Sequence, residues 1–382
     1  MRIPSALPSL ASLVLLFPFG LVGLAGLVGC EDKKPSSDTR TDAGANADKY
    51  ASADPKLEKA MKAAASASAD TSGPPPTGIF EASVADQRHP KGTPTKVDMV
   101  SEGADPKVSL ALAADAGTDP GKSSYGPAIM EVAMELGPRM AMPTIDFMTT
   151  VGPGKKEEGG ADWLVATVQK ATPAKQQMGQ LPPGIDKEIA SLQGTELRVK
   201  VTPDGRESDL LTELGKTTNA ELDRVAQTAA EALVFATVPL PPKPVGVGGQ
   251  WISETRMPLS QMDVLAYRAY RVKSIDGDRI HLTLEIKAYA ASHDVNIQGV
   301  PKGATFEQFE AQSQGELELV RGESLARKSD IQQRVVMLFA GPGGMQPPQQ
   351  QGQPPGNMMT AQLSSQVTFL RGEDLRAAMK QP

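Results

Sequence analysis

The chain has 382 residues, a formal net charge of −6 and a single cysteine, Cys30. An acidic balance with no basic stripe argues against a nucleic-acid partner, which needs clustered Lys and Arg, and one cysteine leaves no internal disulfide to hold the fold. Aromatic residues make up 4% of the chain against 36 Gly and 32 Pro, so the core must be built from Val, Leu, Ile, Ala and Met, in a β-rich and loop-rich protein rather than a helical bundle.

Residues 1–29 read as an export signal. Arg2 supplies a positive start, residues 10–28 carry no charge, and the polar run Glu31-Asp32-Lys33-Lys34 follows. Pro18 and Gly20 weaken the apolar run as a spanning helix, although it is long enough for one. Its end, Leu27-Val28-Gly29-Cys30, resembles the lipobox of bacterial lipoproteins. That resemblance implies a diacylglycerol on the Cys30 thiol, cleavage just before Cys30 and acylation of the new amino group. The implied protein is exported to the cell envelope and held on the inner or outer membrane through that lipid. Two or more acyl chains, at about 0.8 kcal/mol per buried methylene, hold firmly where one holds marginally.

Residues 30–77 read as a lipidated, disordered tether rich in Ala, Ser, Asp and Pro. Residues 31–77 as a flexible coil would reach roughly 35–40 Å. Within them, Asp54 and Pro55 could start a transient helix over residues 55–69.

The folded part is expected as a first β unit over 78–217, a connecting helix over 218–238 and a second β unit over 239–382. Residues 108–113 alternate as a strand. In 129–136, Met130, Val132, Met134 and Leu136 share one face and Glu131 and Glu135 the other. Strands over 144–151, 163–170 and 195–202 follow, the last turned at Pro203-Asp204-Gly205. Thr218 and Glu221 have capping-box spacing. Leu222, Val225, Ala229, Leu233 and Ala236 then recur at helical spacing until Pro239.

In the second unit, residues 265–274 and 279–290 predict a hairpin turned at Asp276-Gly277. Ile280, Leu282, Leu284 and Ile286 face inward there, opposite His281, Thr283, Glu285 and Lys287. Residues 306–320 and 324–339 predict another pair, turned at Arg321-Gly322. The Gln/Pro/Gly tract 341–357 reads as a disordered loop, and 360–370 as a last strand. A short echo between Gln193-Gly194-Thr195-Glu196-Leu197 and Gln314-Gly315-Glu316-Leu317-Glu318 raises duplication as an explanation of two units. The stretch Pro244-Val245-Gly246-Val247-Gly248-Gly249-Gln250-Trp251 resembles a group of uncharacterised bacterial secreted proteins, over roughly residues 95–339. That resemblance implies a β-rich shell around one helix and no activity.

Catalytic chemistry finds little footing. His89, His281 and His293 do not converge on a zinc spacing, and there is no Gly-x-Ser-x-Gly elbow. Gly246-x-Gly248 lacks the third glycine of a dinucleotide site, and Asp276-Gly277-Asp278 reads as a turn. We expect no catalytic residue, metal or cofactor, though folding could still pair carboxylates into a hydrolase. Met130, Met134, Met140, Met142 and Met148 cluster in the first β unit. They would either line an apolar ligand site or fill a core short of aromatics.

The fold class expected is mainly β (α+β), with two antiparallel curved β units joined by one packed helix. The function expected is a membrane-anchored envelope lipoprotein with a non-enzymatic binding or structural role. In one version it shelters an apolar ligand such as a lipid. In the alternative it is a scaffold for an envelope protein partner, bound through exposed strands or the Gln/Pro/Gly loop.

Overall fold

The computed structural model describes residues 55–66, 74–110, 126–136, 140–141, 143–156, 162–174, 184–202, 204–213, 220–259, 262–295, 297, 300, 302–323, 325–341, 358–372 and 375. All fall in one compact unit, Ala47–Pro382. In chain order the elements are α1 (Pro55–Ser66), α2 (Ala82–Arg88), β1 (Lys96–Ser101), β2 (Gly126–Leu136), β3 (Met140–Ala141), β4 (Ile145–Lys156), β5 (Asp162–Pro173), α3 (Ile185–Ala190), β6 (Glu196–Val201), β7 (Glu207–Glu213), α4 (Ala220–Ala236), β8 (Gln250–Leu259), β9 (Met262–Asp276), β10 (Arg279–Ala290), β11 (Thr305–Val320), β12 (Lys328–Ala340) and β13 (Met358–Arg371).

The strands form a single antiparallel sheet, in the order β1-β8-β9-β10-β11-β12-β13-β2-β4-β5-β6-β7, with β3 beside β2. The expectation of two β units joined by a helix is corrected here. The two runs of strands, β2 to β7 and β8 to β13, share one ladder from Leu363↔Leu136 to Arg371↔Ala128. Each run alone would leave a long row of backbone donors and acceptors without a partner, and pairing β13 with β2 satisfies both rows. The echo at 193–197 and 314–318 does not mark equivalent places. Gly194 sits in a turn before β6 at φ +83°, whereas Gly315 lies inside β11, between Leu284 and Ile331.

The two ends of the sheet also come back together. β1 pairs with β8 at one end, and Thr95, just before β1, donates to the carbonyl of Glu207 on β7, the other end, at 2.8 Å.

Inside this curled sheet runs α4. It packs against β2, β6, β7, β12 and β13. The expected face, Leu222, Val225, Ala229, Leu233 and Ala236, is buried, and so are Ala226, Ala230, Ala232, Val234 and Phe235. The helix begins at the edge of the core, with Glu221 exposed and Asp223, Arg224 and Gln227 half-buried, and from Thr228 to Ala236 it is enclosed on every side, where its many alanines let strands approach closely. Thr218, the expected cap, lies outside the described residues. The β10 alternation is as expected: Ile280, Leu282, Leu284 and Ile286 are buried and the intervening residues half-buried.

A second, smaller core covers the outer face of β8 and β9. Met61 of α1, Ala85 of α2 and Phe80, just before α2, pack there with Ile252, Leu265, Tyr267, Ala269 and Ala291. Helix α1 lies within the segment expected as tether, and Met61 is 2% exposed. Sandwiched between two cores, β9 is buried continuously from Val264 to Tyr270.

The expected strand at residues 108–113 is reduced, among its described positions, to a bridge between Val108 and Val245. The glycines near it have a packing cause. A Cβ on Gly246 would sit 1.6 Å from the Ala104 carbonyl oxygen, and the Gly246 amide donates to Glu102 O at 2.8 Å. Beyond this crossing, Trp251 stacks on Tyr270 at 5.2 Å, and its indole donates to Pro239 O at 2.9 Å.

Candidate functional site

Of the residues singled out by sequence, Cys30 and Met142 lie outside the described residues. Met130 and Met134 are buried in the main core, whereas Met148 is 38% exposed. The register explains the split. Met130 pairs with Phe147 and Ile129 with Met148, so Met148 shares the outward face with Ile129. Met140 belongs to β3, paired with Leu136.

The interior also holds charge that sequence reasoning missed. Arg268 of β9 is fully buried and ion-paired with Glu207 of β7. Arg268 Nη1 donates to Val234 O of α4 at 3.5 Å, and Thr95 Oγ1 donates to Glu207 Oε2 at 3.0 Å. Burial pushes the Glu207 carboxyl upward, against the pull of Arg268. Burial likewise lifts the Tyr270 hydroxyl far above its ordinary range. A signal was available: Val264, Ala266, Arg268, Tyr270 and Val272 alternate on one face, so the arginine occupies an inward position. The pair ties β7, one end of the sheet, to β9, two strands in from the other end, and to the helix.

Each histidine has a carboxylate within 4 Å. His89 is buried, with Nε2 2.9 Å from Thr93 O and Nδ1 3.7 Å from Glu254. Around it Arg88 donates to the Tyr267 hydroxyl at 3.0 Å, and Arg256 bridges Asp263 and Asp86. This charged clasp holds α2 on the sheet. His281 lies 3.6 Å from Asp276, and His293 lies 3.6 Å from Glu81. Among the described residues no group of three or more His, Cys, Asp or Glu is placed to hold a metal ion.

An open groove of about 1020 Å³ lies on the outer face of β9–β12, with Val247 also in its lining. Because pleated side chains alternate, one outward residue per strand lines up across the sheet. The central row is Arg271, Thr283, Glu316 and Asp330, and it continues through Thr368 and Glu131 to Asp146. A second row is Glu285, Gln314, Gln332 and Gln366. Lys273 Nζ lies 2.6 Å from Glu316, Gln366 donates to Asp330 at 3.0 Å, and Arg279 pairs with Glu318. Burial, then Asp146 and Asp330, push the Glu131 carboxyl above its ordinary range. Hydrophobic periodicity marks these residues as outward, but only the strand pairing shows that they form rows.

No protein-family model matches the chain. No curated protein is significantly similar to it. Among the described residues no helix is long and apolar enough to cross a membrane.

Proposed function

We propose that the chain is a lipid-anchored protein of the cell envelope whose body has a non-enzymatic binding or structural role, exercised on its outer surface. The anchor is Cys30, at the end of an uncharged run and in lipobox context. One observation carries the choice of surface: α4 packs inside the sheet, and from Thr228 to Ala236 every residue of it is buried.

That observation bears on the apolar-ligand version. A sheltered lipid chain would need the volume in which α4 packs, and Met130 and Met134 are part of that packed core. Met130 and Met134 are read as core filling, which suits a chain poor in aromatics, while Met148 faces outward. The alternative, a scaffold for an envelope partner, is supported by the groove over β9–β12.

Two measurements test the proposal. Cys30→Ser should leave the protein unlipidated and lost from the membrane fraction. A variant still trimmed before residue 30 and still sedimenting with membranes would overturn the anchor. For the surface, stoichiometric uptake of a fluorescent fatty acid by the full chain would restore the interior reading; no uptake is expected.

A further inference from the structure

Every strand of the groove over β9–β12 presents polar side chains, and two of its carboxylates are already ion-paired, Glu316 with Lys273 and Glu318 with Arg279. An anionic polymer would meet Glu285, Glu316, Glu318 and Asp330, and a cationic one Arg271, Lys273 and Lys328. Either would have to compete with contacts already made, such as Lys273 with Glu316 at 2.6 Å and Gln366 with Asp330 at 3.0 Å. An apolar ligand would strip water from all of these groups without replacing its hydrogen bonds.

What the floor presents is a lattice of groups suited to hydroxyls. The amides of Gln314 and Gln332 and the hydroxyl of Thr283 each donate and accept, and the carboxylates between them accept. The spacing is regular as well. Neighbouring side chains in a row are separated by the distance between strands, about 4.8 Å, close to the advance of one sugar ring along an extended chain. Four strands span about 14 Å from first to last, room for about three or four rings.

We propose that this groove binds a neutral polysaccharide lying across β9–β12, with successive rings over successive strands. The inference rests on the reading that the body binds on its outer face, and it names the ligand. A sugar chain brings hydroxyl donors and acceptors at the repeat the sheet supplies, and no net charge to disturb the pairs beneath it.

The test uses the full chain and chito-oligosaccharides of increasing length, followed by titration calorimetry. Affinity should rise with each added unit to about four and then level off, as the span of the floor requires. Added salt should leave it unchanged, since no charge is neutralised. Gln314→Ala and Gln332→Ala should each weaken binding about threefold to tenfold without lowering the melting temperature. The proposal is overturned if chito-, cello- and malto-oligosaccharides all fail to bind saturably, or if an oligolysine peptide binds in their place with steep salt dependence. A photoreactive group at Thr283 separates the two layers. Capture of a protein in cells with no oligosaccharide binding removes the polysaccharide and keeps the outer-face reading, while silence in both experiments removes both.

Discussion

Arg268 and Glu207 form an ion pair shut off from water between β9 and β7, with the Arg268 guanidinium also donating to the Val234 carbonyl of α4. Removing one partner strands a buried charge, which costs about 3–5 kcal/mol, whereas replacing both with apolar groups of similar volume is often neutral. Arg268→Met should therefore destabilise the protein by about 3–5 kcal/mol in denaturant unfolding. Arg268→Met with Glu207→Leu should recover most of that loss. A single variant within about 1 kcal/mol of the parent would mean that the pair does not tie the sheet closed.

The enclosure of α4 makes its alanines sensitive to size. Ala230 has no exposed surface. Ala230→Leu adds three carbons where strands already press on the helix, and overpacking of this kind costs about 1–3 kcal/mol. A lowered denaturation midpoint with an unchanged slope is the expected result. A neutral effect would indicate a void beside the helix, and with it room for a ligand.

The small outer core should open independently of the main one. Met61 is the principal side chain that α1 buries there, and burial of a methionine stabilises by about 1.5–3 kcal/mol. Met61→Asp should release α1 while the sheet stays folded. Amides of residues 56–66 should then exchange with deuterium near the open-chain rate, with the β10 and β11 amides as protected as before. Loss of protection throughout would mean that α1 is part of one cooperative body.

Glu131 supplies a pH test. Its carboxyl titrates above the ordinary range because burial, and then Asp146 and Asp330, disfavour its charge. A carboxyl raised in the folded state contributes stability below its unfolded pKa and loses it as pH rises through the folded value. Glu131→Gln should thus raise the melting temperature slightly at neutral pH, by about one to three degrees, and leave it unchanged below the carboxylate range. A stabilisation that grows as pH falls would contradict the sign.

Local patterns carried much of the fold. The alternation in β10 and the turn at Gly277 gave the β9–β10 hairpin, because both lie within thirty or so residues and obey the two-residue period. The ladder between β13 and β2 joins residues more than two hundred positions apart, and the hydrophobic pattern of each strand is the same whichever neighbour it takes. The same holds for β1, which crosses to β8. For α4, the stripe from Leu222 to Ala236 was legible, but the run Ala229-Ala230-Glu231-Ala232-Leu233-Val234-Phe235-Ala236 already carried the further message that the helix is surrounded. The methionine cluster misled because it mixed faces: Met130 and Met148 sit one pair out of step in the β2–β4 ladder, a fact fixed by register rather than by proximity in sequence.

The body closed around α4 is proposed to be held to a membrane by Cys30. Native mass spectrometry of the mature protein extracted from membranes addresses both halves at once. The predicted mass is that of the chain from Cys30 onward plus its covalent lipid, with no further lipid carried inside. A mass that retains residues 1–29, or a stoichiometric lipid released only on unfolding, would contradict it.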